Sequence, residues 1–342
     1  MPKPGPRNLI TDVPGVSVGN AEDARVRTGT TVLLPDAPAI AALDVRGGAP
    51  GTRESDALDP SRLLQGRVDA LVLSGGSVYG LEAAGGVAAW LGAQGRGFGL
   101  AGGVVAPIVP GAILFDLANG GDKAWGEEPP YRALGRQAGL AASRDFALGN
   151  AGAGFGAVAG SLKGGLGSAS LVTDDGITIG ALAAVNAAGS VIMPGTDRFW
   201  AALFEIESEF GGRGVAPAMG RSLSALAETK LADLEEPGDR RNTTIAIIAT
   251  DAGFDAYDMQ RFAVMAQDGF AHAIRPSHTP VDGDLVYALT TGRVEMAAER
   301  KRIDLFQLGA YAADCLARAV ARGVYAAESL GGIASYRDRF GG

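Results

Sequence analysis

Short apolar runs bounded by turn residues recur along the chain. "GTTVLL" (29–34), "AIAALDV" (39–45) and "DALVLSGG" (69–76) each read as a strand. Over "YGLEAAGGVAAWLGAQ" the period changes, with Leu81, Ala84, Val87, Trp90 and Leu91 making the apolar stripe of a helix. Strands are predicted again at "SASLVT" (168–173), "ITIGALAAVN" (177–186) and "TTIAIIAT" (243–250). The segment "DMQRFAVMAQDGFAHAI" puts Met259, Phe262, Ala263, Ala266 and Phe270 on one helical face. A strand at "DLVYALTTG" then precedes a long alanine-rich helix near 304–329, where Cys315 reads as a small core residue. Strand clusters with helices between and after them predict a layered α/β sandwich, sheets covered by helices.

One uncharged run, Gly97 to Phe115, is long enough to raise the question of a membrane span. Pro107, Pro110 and five glycines interrupt it, so it is predicted to be a buried strand–turn–strand. No cationic start followed by an apolar stretch occurs in "MPKPGPRNLITDVPG". A cytoplasmic protein without membrane contact is expected.

Composition narrows the function. The 342 residues suit one large domain, and 47% apolar content allows a substantial core. Glycine, at 52 residues, is roughly twice its usual share of about 7%. A net charge of −8 argues against a nucleic-acid partner. One cysteine rules out an intrachain disulfide framework, and two histidines, His272 and His278, leave few ligands for a metal site. Both histidines read as structural or surface groups, so an enzyme built on this chain is expected to use another base. "GAGFGAVAG" departs from a dinucleotide fingerprint, and "LSGGSVYGLEAAGG" lacks the lysine of a P-loop. No cofactor is expected.

Candidate chemistry gathers in four places. In "GDRRNTTIAIIATDAG" a charged, turn-prone run stops at Asn242 and an apolar strand starts at Thr243. The run before it, "ETKLADLEEPGDRR" (228–241), carries eight charges in fourteen residues and reads as a solvated loop that tolerates a nick. Either Asn242 is a turn residue leading into a strand, or the chain is cut before Thr243. A threonine at a new N-terminus carries its own base, an α-amine with a pKa near ~8. Lys163 is the only charge between Asp145 and Asp174. It either snorkels to the surface or keeps a nearby amine neutral and steadies negative charge. Asn186 ends an apolar strand, as a cap or as an amide donor to an oxyanion. Asp282 and Asp284 flank a glycine, either as an Asp-Gly turn or as carboxylates that receive protons or orient an ammonium.

Together these stretches resemble the family of L-aminopeptidase/D-esterases, β-aminopeptidases and nylon-oligomer (6-aminohexanoate-oligomer) hydrolases. "NTTIAIIATDA" is similar to its cleavage site. "DVPGVSVGN", "ALDVRGGAPGTRESD", "VLSGGSVYGLEAAGGV", "GSLKGGLGSAS" and "PVDGDLVYALTTG" match in order, from about residue 9 to 330. The resemblance implies a four-layer αββα fold like that of N-terminal-nucleophile hydrolases. It also implies one catalytic domain over 1–342 that cuts itself into 1–242 and 243–342, chains that stay associated. Thr243 would be the nucleophile, Lys163 and Asn186 would support the amine and the oxyanion, and Asp282 and Asp284 would be the nearby carboxylates. Phe115 and Tyr79 are expected in the substrate pocket. Threonine at the cut and the Asp-Gly-Asp pattern lie closer to the nylon-oligomer hydrolases, since the β-aminopeptidases use serine there, with serine and glutamate for the two aspartates. Phe115 stands where several members carry tyrosine, and Asn20 replaces a frequent histidine. The expected function is hydrolysis of linear amides or short peptides through an acyl-enzyme. An aminopeptidase is the alternative and an N-terminal-threonine acyltransferase the second. A homo-oligomer, a tetramer of cleaved heterodimers, is the expected assembly.

Overall fold

The computed structural model describes residues 2–216, 228–230 and 242–341. Most of the charged run 228–241 therefore lies outside the described residues.

Among the described residues fifteen strands form: β1 (Val16–Asp23), β2 (Thr28–Pro35), β3 (Ala39–Val45), β4 (Thr52–Arg53), β5 (Arg67–Val68), β6 (Leu71–Ser74), β7 (Phe98–Gly99), β8 (Val105–Ala106), β9 (Gly111–Ile113), β10 (Val158–Ala159), β11 (Leu162–Lys163), β12 (Gly165–Val172), β13 (Thr178–Asn186), β14 (Thr243–Ala252) and β15 (Leu285–Val294). The helices are α1 (Glu82–Gly92), α2 (Tyr131–Leu140), α3 (Ala256–Ala266), α4 (Asp268–Ala273), α5 (Lys301–Ala326) and α6 (Tyr336–Phe340). A five-stranded sheet runs β1-β2-β6-β9-β4, and a six-stranded sheet runs β12-β13-β14-β15-β3-β5.

Successive side chains on a strand point to opposite faces, and the apolar residues sort accordingly. On β14, Ile245, Ile247 and Ala249 join Leu182, Ala184, Leu285 and Tyr287 in a core shared with Val18, Leu33, Leu71 and Leu73 of the other sheet. Ala246 and Ile248 point the other way, into a core with Phe262, Leu316 and Val320 of the covering helices. Across the five-stranded sheet, Val32 and Val72 face Ala84, Val87, Tyr131 and Leu134 of α1 and α2. Helix, sheet, sheet, helix is the four-layer αββα sandwich. Because both its faces are covered, all ten residues of β14 are buried, as expected of an unbroken apolar run. Each of its isoleucines contributes about 1.5–3 kcal/mol by leaving water.

Glycine lets the layers approach closely. A Cβ on Gly167 of β12 would collide with the carbonyl oxygen of Ala319 in α5, and one on Gly19 of β1 with that of Ala138 in α2. The segment 97–115 differs from the buried strand–turn–strand predicted for it. β7 and β8 form a two-residue hairpin outside both sheets, where Phe98, Leu100 and Val104 are exposed. Only its end, β9, enters a sheet and is buried. The helix predicted over 258–274 is two helices, parted at Gln267, whose side-chain amide donates to the Asp44 carbonyl at 2.8 Å. No described helix is long and apolar enough to cross a membrane.

Candidate active site

Thr243 opens β14 and Asn186 closes β13, and the two sit opposite each other in the antiparallel ladder. By the strand period Thr243 shares a face with Ile245 and Ile247, and Asn186 with Leu182 and Ala184. Both therefore face the other sheet, at the end of the inter-sheet core. Immediately before Thr243, the amide N–H of Asn242 donates to the Val281 carbonyl at 3.0 Å. The amide of Gly283 does two things. It donates to the Asn242 carbonyl oxygen at 3.0 Å and to Thr243 Oγ1 at 3.2 Å. The Thr243 hydroxyl in turn donates to the Asn242 carbonyl oxygen. A hydroxyl is thus held against the carbonyl that precedes it, under one polarising N–H. Glycine is needed at 283 because a Cβ there would stand 2.6 Å from the Ala49 carbonyl oxygen and 2.8 Å from Thr243 Oγ1.

Asn186 is fixed through both ends of its amide. Its Oδ1 accepts from the Val158 N–H at 2.9 Å, and its Nδ2 donates to the Phe115 carbonyl at 2.9 Å. Val158 pairs with Lys163 across the β10–β11 hairpin. Lys163 does not snorkel: it is 1% exposed, and its Nζ donates to the carbonyls of Gly164 at 2.8 Å and Gly154 at 3.1 Å. Burial pushes its pKa down to about 7, against a smaller upward pull from the Asp116 carboxylate. Asp116 is buried too, accepting from the Thr28 hydroxyl at 2.7 Å and the Gly76 N–H at 2.8 Å. Burial pushes its carboxyl up to about 6. Sequence reasoning overlooked Asp116, which sits beside Phe115 with nothing in the pattern to mark it.

The aspartates flank Gly283 as the Asp-Gly-Asp spacing dictates, both are buried, and each of their oxygens accepts at least one hydrogen bond. Asp282 accepts from the Ala188 N–H at 3.0 Å and from the Thr279 hydroxyl. Burial, reinforced by the charge of Asp284, raises its pKa above the usual carboxylate range. Asp284 accepts from the N–H of Thr244 at 2.8 Å and that of His278 at 2.9 Å. The His278 ring, through Nδ1, lies 3.0 Å from the same carboxylate. His278 therefore touches the site through Asp284. Lys230 is a second group the sequence did not single out. Its Nζ donates to Asn242 Oδ1 at 2.6 Å and approaches Asn186 Oδ1 at 3.3 Å.

A cavity of about 420 Å³ opens at this end of the sandwich, lined by Phe115, Asp116, Asn119, Asn186, Lys230 and Asn242 among others. Of the Asn242–Thr243 pair it is Asn242 that lines the cavity, and both residues are buried, at 1% and 3% exposure. Tyr79, expected in the pocket, is half-exposed and packs edge-on against Trp125, with ring centroids 5.6 Å apart. It does not line this cavity. Among the described residues no cluster of three or more His, Cys, Asp or Glu could hold a metal ion.

Residues 8–337 match the family described as peptidase family S58. The chain belongs to that family. An uncharacterized aminopeptidase of Mycobacterium tuberculosis (strain ATCC 25618 / H37Rv) is 46% identical over 351 residues, covering 98% of each chain. A 6-aminohexanoate-oligomer endohydrolase of Kocuria sp. (strain KY2) is 31% identical, over 92% of this chain and 86% of that one. Among solved structures, a Burkholderia sp. beta-aminopeptidase superimposes with a TM-score of 0.69 at 24% identity, over 100% of this chain and 94% of that one. The L-aminopeptidase D-Ala-esterase/amidase of Ochrobactrum anthropi, described as a variant of the Ntn hydrolase fold, gives 0.68 at 20% identity, over 96% and 89%. This S58 peptidase is therefore a hydrolase acting on amide bonds in an Ntn-type sandwich.

Proposed function

We propose that this S58 member is a self-processing amide hydrolase whose nucleophile is the hydroxyl of an N-terminal Thr243. The observation that carries the reading is the Thr243 Oγ1 contact with the Asn242 carbonyl, beneath the shared Gly283 N–H. In the cut, Oγ1 bonds to the carbonyl carbon and the C–N bond between Asn242 and Thr243 breaks. The departing Thr243 nitrogen takes the hydroxyl proton, leaving an ester. Water then opens the ester, restoring the hydroxyl and giving Asn242 a carboxylate. The freed α-amine serves as the base for each later turnover: Oγ1 attacks a substrate amide, the amine product leaves with the proton, and water releases the acyl group. Lys163, about half protonated near pH 7, is the group proposed to help hold the α-amine neutral, and Asn186 supplies amide donor capacity opposite the nucleophile.

The substrates are linear amides such as 6-aminohexanoate oligomers or short peptides. Asp282 and Asp284 support this reading, since both are buried and their oxygens already accept from the protein's own N–H and O–H groups rather than standing ready for a substrate ammonium. Phe115 at the cavity wall favours aliphatic chains. Release of N-terminal residues is the second reading, favoured by the 46% identical relatives named as aminopeptidases. The assembly proposed with it is a tetramer of cut heterodimers, to be weighed by native mass spectrometry.

Intact mass measurement tests the maturation. Wild type is expected as fragments 1–242 and 243–342, and Thr243→Ala as one full-length chain; a Thr243→Ala chain that still splits after Asn242 removes Thr243 from the mechanism. Product masses from N-blocked and free oligomers test the substrate class, where cleavage confined to free-amine substrates, one residue at a time, makes the protein an aminopeptidase.

A further inference from the structure

Lys230 comes from the charged run preceding the proposed cut, yet its side chain points into the site rather than to solvent. Its backbone N–H donates to the Ala188 carbonyl at 3.0 Å, docking it beside the end of β13. From there Nζ makes a 2.6 Å bond to Asn242 Oδ1 and lies 3.3 and 3.4 Å from Asn186 Oδ1 and its backbone carbonyl. Its charge also acts on Asp282, opposing the burial that raises that carboxyl. One ammonium thus bridges the side chain of the residue whose carbonyl is attacked and the amide expected to support the oxyanion.

We infer that Lys230 is a positioning residue for the self-cut, acting through the side chain of Asn242. Residue 242 is held on three sides. Its N–H is fixed by Val281, its carbonyl oxygen by Gly283, and its side-chain amide by Lys230. The Lys230 bond to Oδ1 adds a charge-assisted restraint on the residue whose carbonyl is attacked. It also explains the residue before the cut: asparagine presents an uncharged acceptor at the length Lys230 reaches, where leucine or glycine presents none. The inference rests on the self-cleavage proposed above.

The experiment follows the appearance of fragment 243–342 with time, by denaturing gel and intact mass, in wild type, Lys230→Met, Lys230→Arg, Asn242→Ala and the Lys230→Met/Asn242→Ala double variant. Losing a hydrogen bond to a charged group is expected to slow the cut about tenfold or more in each single deletion. The double variant is expected to be no slower than the slower single, because both remove one interaction. Lys230→Arg, which restores the charge and donors, is expected to recover most of the rate, a rescue that a purely space-filling role would not give. Cutting of Lys230→Met at the wild-type rate overturns the inference, as does a double variant slowed by the product of the two singles. A wild-type chain that never yields the fragment instead sinks the self-cleavage reading itself, so the two failures are distinct.

Discussion

Replacing Lys163 by methionine should alter how stability depends on pH rather than stability alone. In the folded chain burial lowers the Lys163 pKa to about 7, whereas an unfolded lysine titrates near ~10.4. Between those values the unfolded chain holds a proton that the folded chain lacks, so stability rises with pH across that window. Below about pH 7 both states are protonated, and the burial penalty is constant. Integrating the one-proton difference from pH 7.5 to 9.5 gives a gain of about 2.5 kcal/mol. Methionine has a similar volume and no proton to bind, so the variant should lose this gain while every other titrating group contributes equally to both proteins. The loss of hydrogen bonds to the Gly154 and Gly164 carbonyls adds a cost independent of pH. The assay is urea unfolding at the two pH values, in the Thr243→Ala background so that one chain unfolds. Wild-type and Lys163→Met stabilities that run parallel between pH 7.5 and 9.5 would show that the lysine keeps its ordinary pKa, and the argument that burial depresses it to about 7 would fall.

Gly283→Ala should block the cut in a protein that still folds, because the new methyl group meets both Ala49 and the Thr243 hydroxyl; rapid splitting of that variant in a gel time course would refute the role given to the Gly283 N–H. Asp116, with a pKa of about 6, is mostly an anion where Lys163 titrates, and it favours the charged lysine. Asp116→Asn should therefore lower the Lys163 midpoint below about 7, read by NMR titration of isotope-labelled lysine, and an unchanged or raised midpoint contradicts the pairing. Gly167→Ala should cost about 1–3 kcal/mol in urea unfolding, since α5 must move off β12 to admit the methyl group; an unchanged midpoint would mean that the helix is not seated that closely.

Much of this architecture was legible because its central strands are covered on both faces. β13, β14 and β15 read as near-continuous apolar runs, and a run such as "TTIAIIAT" admits few other interpretations. Strand β1 and helix α2 were not assigned from the pattern. In α2 two positions of the buried face, Gly135 and Gly139, are glycine, so the apolar stripe that announces a helix is cut short. Those glycines admit the Ala83 carbonyl of α1 and the Trp90 ring, contacts set by packing rather than by period. The Asp-Gly-Asp spacing and the Thr243 border could be read locally, because their residues act within a few positions of one another. Asp116 enters the site through tertiary approach, over a separation that no local pattern records, whereas His278 and Lys230 lie only six and twelve residues from the Asp284 and Asn242 they contact. The surface hairpin of β7 and β8 illustrates the converse: an apolar composition led to an expectation of burial, yet four glycines let the segment turn outside the sheets.

The strand period that orients Thr243, the proposed nucleophile, also leaves the chain no spare for it. Thr244 has the same chemistry one residue along, is fully buried, and its hydroxyl has no hydrogen-bond partner among the described residues. Yet by the strand period it occupies the same face as Ala246 and Ile248, toward the helices, opposite to that of Thr243. A duplicated threonine at this border is therefore no insurance against losing the first. Conversely, one residue inserted or deleted at the start of β14 would exchange the two hydroxyls wholesale, leaving composition and fold nearly intact while silencing the chemistry. Variation in the length of the preceding segment can be absorbed only upstream of Asn242, where the ladder with Asn186 has not yet begun.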